Sequence, residues 1–274
     1  MKEGWQDYKQ FMRALPERRK RAVVLRKVLQ YAAIVAVILS CVYFFLKPIG
    51  SMDDLAIAYV DITIPNERGV MLTLADGEKV VVGNEKREVI FEKTGNVNIK
   101  QEGRNELVYE NVKISEKRNV EEEAMNEITV PAGERVSIIL SDGTKVWLNS
   151  ESAIRYPVRF GIGKRVVTVK GNVYFEVTKD VSRPFFVVMK DMETEVLGTS
   201  FEVNTYGDHG EIYMALVEGC VRVRSGNHVV VAKPNEQVAL DLESRKISTK
   251  EVDAARLVAW KDGVLMIKNE PFVD

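Results

Sequence analysis

Between Lys27 and Lys47 the chain runs VLQYAAIVAVILSCVYFFL, nineteen residues without a formal charge. A helix of that length rises roughly 28 Å at about 1.5 Å per residue, close to the hydrocarbon thickness of a bilayer. Gln30 and Tyr31 at one end and Tyr43 near the other suit the interfacial zones. Two rivals to a spanning helix over 28–46 are weaker. A cleavable signal peptide needs a small-x-small site directly after its apolar core, and the nearest candidate, Ala56-x-Ala58, lies beyond Asp53-Asp54. A lipid on Cys41 would sit inside the span, because apolar residues continue past it. One uncleaved N-terminal transmembrane helix is the expectation, and it divides the chain into two parts with different surroundings.

Charge sets the direction. Residues 1–27 carry nine Lys or Arg against Glu3, Asp7 and Glu17, a surplus of +6 in a chain of net charge −1, so the remainder is −7. By the positive-inside rule the short basic segment 1–27 is expected in the cytoplasm and residues 47–274 outside it, as a single-pass membrane protein. An acidic body on that side excludes a nucleic-acid reading. Cys220 is the one cysteine beyond the span, so no intrachain disulfide is expected there and the core must hold the fold alone.

The outer part reads as strands. In RVVTVKGNVYFEV (165–177), Val167, Val169, Val173, Phe175 and Val177 share one parity, with Gly171 keeping the phase. Thr168, Lys170, Asn172, Tyr174 and Glu176 take the other, which is the period of a strand. Similar runs recur at 185–189, 194–203, 212–217, 221–223 and 229–231, split by turn signals such as YGDHG and SGNH. A helical period is visible only over 251–260. The expected fold class is all-β, short antiparallel strands arranged as a sandwich or a solenoid behind the membrane helix.

One phrase is written twice. LADGEKV at 74–80 returns as LSDGTKV at 140–146, sixty-six residues on, and Ile64-Pro65 faces Val130-Pro131 at the same offset. Asp-Gly between two apolar runs is a strong hairpin signal. Gly77 and Gly143 can take the positive φ that such a turn requires, and Asp76 and Asp142 tolerate it. Two readings stand side by side. One is an internal duplication, with a first β unit at 47–116, an acidic linker at 117–127 and a second β domain at 128–274. The other is coincidence in a short turn phrase.

Little in the sequence resembles reaction chemistry. His209 and His228 both lie in Gly- or Asn-flanked turns, and no Cys or His cluster has metal-site spacing. GIGK (161–164) lacks the spacing of a phosphate loop. Carboxylates on alternating strand positions read as a solvated face. No catalytic residue, cofactor or metal is expected, and the chain is not read as an enzyme.

Six phrases occur in order: LSDGTKVWLNSESAIRYP (140–157), VKGNVYFEV (169–177), RPFFV (183–187), VLGTSFEV (196–203), LVEGCVRV (216–223) and AWKDG (259–263). Together they resemble the iron-citrate-regulator (FecR) family of anti-sigma factors, in the form common among Bacteroidetes. The resemblance covers about 128–272, and ITIPNERGVMLTLADG (62–77) resembles the lead-in of those proteins.

The resemblance implies a relay. The cytoplasmic part would hold an extracytoplasmic-function sigma factor. The periplasmic part would sense the signalling domain of a TonB-dependent outer-membrane transporter, so that substrate capture becomes transcription. Against the family pattern the cytoplasmic segment is short. The sequence also ends at NEPFVD, where members commonly continue into a small α/β domain, so a shortened member is expected. Within that segment Trp5, Tyr8, Met12 and Leu15 fall at helical spacing before Pro16 and form the candidate partner-binding face, with a helix lying on lipid as the alternative. The alternative for the whole chain is a membrane-anchored β scaffold that binds an envelope protein or glycan without regulating a sigma factor.

Overall fold

The computed structural model describes residues 59–64, 69–82, 89–92, 97–102, 106–111, 124–207 and 210–264. The span 28–46, the face of Trp5, Tyr8, Met12 and Leu15, His209 and residues 117–123 lie outside the described residues. Among those described, no helix is long and apolar enough to cross a membrane.

Among the described residues, nineteen strands form two sheets. The first contains, in spatial order, β2 (Lys79–Val82), β1 (Val70–Thr73), β6 (Met125–Val130), β9 (Ser152–Pro157), β10 (Arg165–Lys170), β12 (Phe185–Val188), β13 (Glu193–Val196), β16 (Val221–Ser225) and β17 (His228–Ala232). The second contains β3 (Val89–Glu92), β4 (Val97–Glu102), β5 (Glu106–Asn111), β7 (Val136–Ile139), β8 (Lys145–Leu148), β11 (Asn172–Glu176), β14 (Ser200–Asn204), β15 (Glu211–Glu218), β18 (Glu236–Asp241) and β19 (Ile247–Glu251). Apart from the first hairpin, each sheet adds its strands in chain order. The chain weaves between two growing layers, one or more strands at a time.

That weave explains why the sheets are mixed, where antiparallel strands alone were expected. When two strands intervene in the opposite sheet, as β14 and β15 do between β13 and β16, the chain returns antiparallel. When one intervenes, it returns in its original direction. β11 separates β10 from β12, β6 separates β5 from β7, and these two pairs are parallel.

The inner faces close on one hydrophobic cluster that includes Leu72, Ile99, Leu107, Ile128, Ile138, Val167, Phe175, Phe201 and Leu216. Phe175 of the second sheet stacks on Phe201 with ring centroids 5.2 Å apart and meets Phe185 of the first edge-on at 6.1 Å. The continuous alternation over 167–177 reads as one strand, but the chain makes two, in opposite sheets. Gly171 is the crossing point, with φ +89. A Cβ there would stand 2.6 Å from Ser152 Cα and 2.7 Å from the Glu151 carbonyl, so the approach admits only glycine. Parity survives the crossing because both strands turn the same set of residues toward the shared interior.

Candidate functional site

The two Asp-Gly phrases close the β1–β2 and β7–β8 hairpins. In the first, Leu74 N–H donates to the Glu78 carbonyl (2.8 Å) and Gly77 N–H to the Leu74 carbonyl (2.9 Å), with Gly77 at φ +87. In the second, Leu140 N–H donates to the Thr144 carbonyl (2.8 Å) and Gly143 N–H to the Leu140 carbonyl (2.9 Å), with Gly143 at φ +83. Asp76 Oδ1 and Asp142 Oδ1 each accept one backbone N–H, from Glu78 and Thr144, at 3.0 Å.

Beyond these shared bonds the turns differ. Asp142 Oδ2 accepts from Thr144 Oγ1 (2.8 Å) and from Arg165 Nη1 (2.7 Å). Arg165 is fully buried, lies over the Phe185 ring, and also donates to the Thr178 and Arg183 carbonyls at 2.9 Å. Asp76 is exposed. His228 is the exposed first residue of β17, across its turn from Ser225.

A second cluster lies on the outer face of the second sheet, under a C-terminal strap. Asp253 caps α1 (Ala254–Leu257) by accepting the Arg256 N–H, and a 3-10 helix (Ala259–Asp262) follows. Ala254 and Val258 are buried. Trp260 Nε1 donates to Glu202 Oε1 at 2.9 Å, and Asn172 Nδ2 donates to the same oxygen at 2.7 Å. Arg135 Nη1 holds the Trp260 carbonyl at 3.0 Å, and Lys261 Nζ sits 5.5 Å from the ring centroids of both Trp147 and Tyr174.

Glu202 is 1 % exposed. Burial pushes its carboxyl up to about 7, against the opposing pull of the hydrogen bonds from Trp260 and Asn172. Its Oε2 and the Asn172 Oδ1 are both buried without a hydrogen-bond partner. The sequence reading placed strand carboxylates on a solvated face, and it fails at Glu202 because the strap covers that face. The one sequence signal was the helical period over 251–260.

A cavity of about 570 Å³ opens at one end of the sandwich, lined in part by Tyr59, Asp61, Lys170, Asp191, Tyr206 and Arg245. Its charges largely close on one another. Arg245 pairs with Asp191 at 2.8 Å, and Lys170 lies 3.6 Å from Asp61 while donating to the Ile62 carbonyl at 2.9 Å. Burial and the neighbouring Asp61 push the Tyr59 hydroxyl up to about 12, so it stays a donor. Among the described residues no three His, Cys, Asp or Glu side chains gather as a metal site. What the geometry offers is two anchorages, one for the lead-in at Lys170 and one for the strap at Asn172 and Glu202, on either side of Gly171.

A family model described as FecR protein matches residues 126–222. Two crystal structures of a candidate anti-sigma factor from Parabacteroides distasonis are also similar. One is 34% identical, covering 53% of this chain and 68% of that one with a TM-score of 0.50. The other is 34% identical over 51% and 65%, with a TM-score of 0.49. The match thus spans about two thirds of those chains. No curated protein matches the sequence. The family match contains the second Asp-Gly turn, Arg165, Asn172 and Glu202, and leaves out the first turn and the strap.

Proposed function

Since the chain belongs to the FecR family, we propose that it is a single-span inner-membrane regulator of an extracytoplasmic-function sigma factor, answering through its periplasmic sandwich to the signalling domain of a TonB-dependent outer-membrane transporter. The observation that carries the reading is the family match over 126–222, joined to 34% identity with a candidate anti-sigma factor. The uncharged run at 28–46 and the +6 surplus before it support the topology.

The sigma factor would be held by Trp5, Tyr8, Met12 and Leu15, set at i, i+3, i+7 and i+10 as anchors for a groove on the partner. Nothing in this reading needs a catalytic group or a cofactor.

The test is capture. The full-length protein, solubilised in detergent, is co-expressed in turn with each extracytoplasmic-function sigma factor of its host and retained on a column. One of them should stay bound. Trp5→Ala with Tyr8→Ala should release it, because aromatic anchors of this kind carry about 2–4 kcal/mol of binding. If none is retained, the regulatory reading fails and the membrane-anchored β scaffold replaces it.

A further inference from the structure

Glu202 and Asn172 are diagonal neighbours on adjacent strands, since Tyr174 is the residue directly opposite Glu202. They share one hydrogen bond, and each keeps one buried oxygen without a partner. An ionised carboxylate only accepts, and so does the amide oxygen, so no rearrangement of those two atoms alone satisfies either. One added proton does. On Glu202 Oε2 it turns an acceptor into a donor for Asn172 Oδ1, while Asn172 Nδ2 continues to donate to Glu202 Oε1. Trp260 Nε1 then reads the acid–amide pair from above, as the strap's contact with it.

We propose that Glu202 is held as a neutral carboxylic acid paired with Asn172, and that loss of its proton loosens the strap Asp253–Gly263 from the second sheet. The switch is set by this geometry and needs no sigma factor.

The surrounding charges do not supply a rival explanation. From β11, the Tyr174 hydroxyl donates to Glu176 at 3.5 Å and is itself pushed up to about 12 by burial. β15 places Ala215 opposite Glu202, and its Tyr213 accepts from Asn204. Gln237 of β18 is uncharged. In the turn before β7, Arg135 is engaged by Asn149 and the Trp260 carbonyl. On the strap, Lys261 pairs with Asp262 at 2.9 Å, and Arg256 lies in the capped turn of α1. None of these groups forms an ion pair with Glu202; burial dominates, and only the Trp260 and Asn172 hydrogen bonds oppose it.

The direction follows from linkage. A carboxyl at about 7 when docked, returning to the ordinary 4.5 when release of the strap exposes it to water, favours docking in full below the lower value. That advantage declines as pH rises between the two and is gone above the upper one. Between pH 5 and pH 7.5 the opening of the strap should therefore increase roughly 50-fold, then level off.

Amide exchange of residues 253–264, measured in the full-length protein in detergent and corrected for the intrinsic pH dependence, reads that opening. Glu202→Gln keeps the paired geometry without a titrating proton, so its corrected protection should be flat across the range. Parallel profiles for wild type and Glu202→Gln would overturn the proposal, as would a strap loosened by Glu202→Gln at every pH. A second measurement needs no variant. The carboxyl ¹³C shift of Glu202 should titrate near neutrality, and titration near the ordinary value would equally sink the idea.

Discussion

Leu74–Val80 and Leu140–Val146 make the same turn, bond for bond, and sit in different settings. Each has the two backbone bonds at 2.8 and 2.9 Å, the glycine at positive φ and the aspartate accepting a backbone N–H two residues on. At the first copy the aspartate ends in solvent. At the second it receives a buried guanidinium from Arg165, twenty-three residues further along the chain. The seven-residue phrase therefore specifies a backbone shape, while its weight in the fold comes from outside the phrase. Arg165 makes the second turn a clamp between β10 and the β7–β8 hairpin, whereas the first turn ends a hairpin at the edge of its sheet.

The largest test of that contrast is Asp142→Ala. It leaves the Arg165 charge buried with carbonyl partners only, and should cost about 3–5 kcal/mol in chemical denaturation. Adding Arg165→Met removes the stranded charge, so the double variant should recover most of the loss. Simple addition of two losses would show that the charges do not act as a pair.

Glycine replacement should separate the turns less. Valine at either position is strained by positive φ, at roughly 1–2 kcal/mol. Gly143→Val should be the worse, because its Cβ would lie 3.3 Å from Thr178 Oγ1, while Gly77 has nothing within 4 Å. A neutral Gly77→Val would break the backbone half of the comparison. The smallest effect belongs to Asp76→Ala, which removes one exposed hydrogen bond and should cost about 1 kcal/mol or less by melting.

Much of this architecture was legible. Period-two alternation located the strands from 165 to 231 because a two-layer sandwich buries one parity throughout. It could not show that Gly171 passes the chain from one sheet to the other, because the same parity faces inward on both sides. Arg165 carries a clue of its own. It shares the parity of Val167 and Val169, so the pattern itself places a charge in the core, and a buried charge demands a partner. Glu202 was hidden for the opposite reason. Its parity is outward, and only a strap from nearly sixty residues away determines that outward is not solvent. Patterns within an element reveal its inner face, whereas coverage by a distant segment leaves no local period to read.

The crossing at Lys170–Asn172 can also be viewed as a mechanical fitting. Lys170 grips the lead-in at the Ile62 carbonyl, and Asn172 grips the carboxyl that receives Trp260. A short bonded path between lead-in and strap therefore runs through Lys170, Gly171, Asn172 and the Glu202 carboxyl. The fitting is braced on both sides, Gly171 N–H by Thr205 Oγ1 and Asn172 N–H by Ser152 Oγ. Under load the weak link is the indole hook of Trp260. It would slip while the described strands stayed folded, so a pull strong enough to free the strap leaves the sandwich intact.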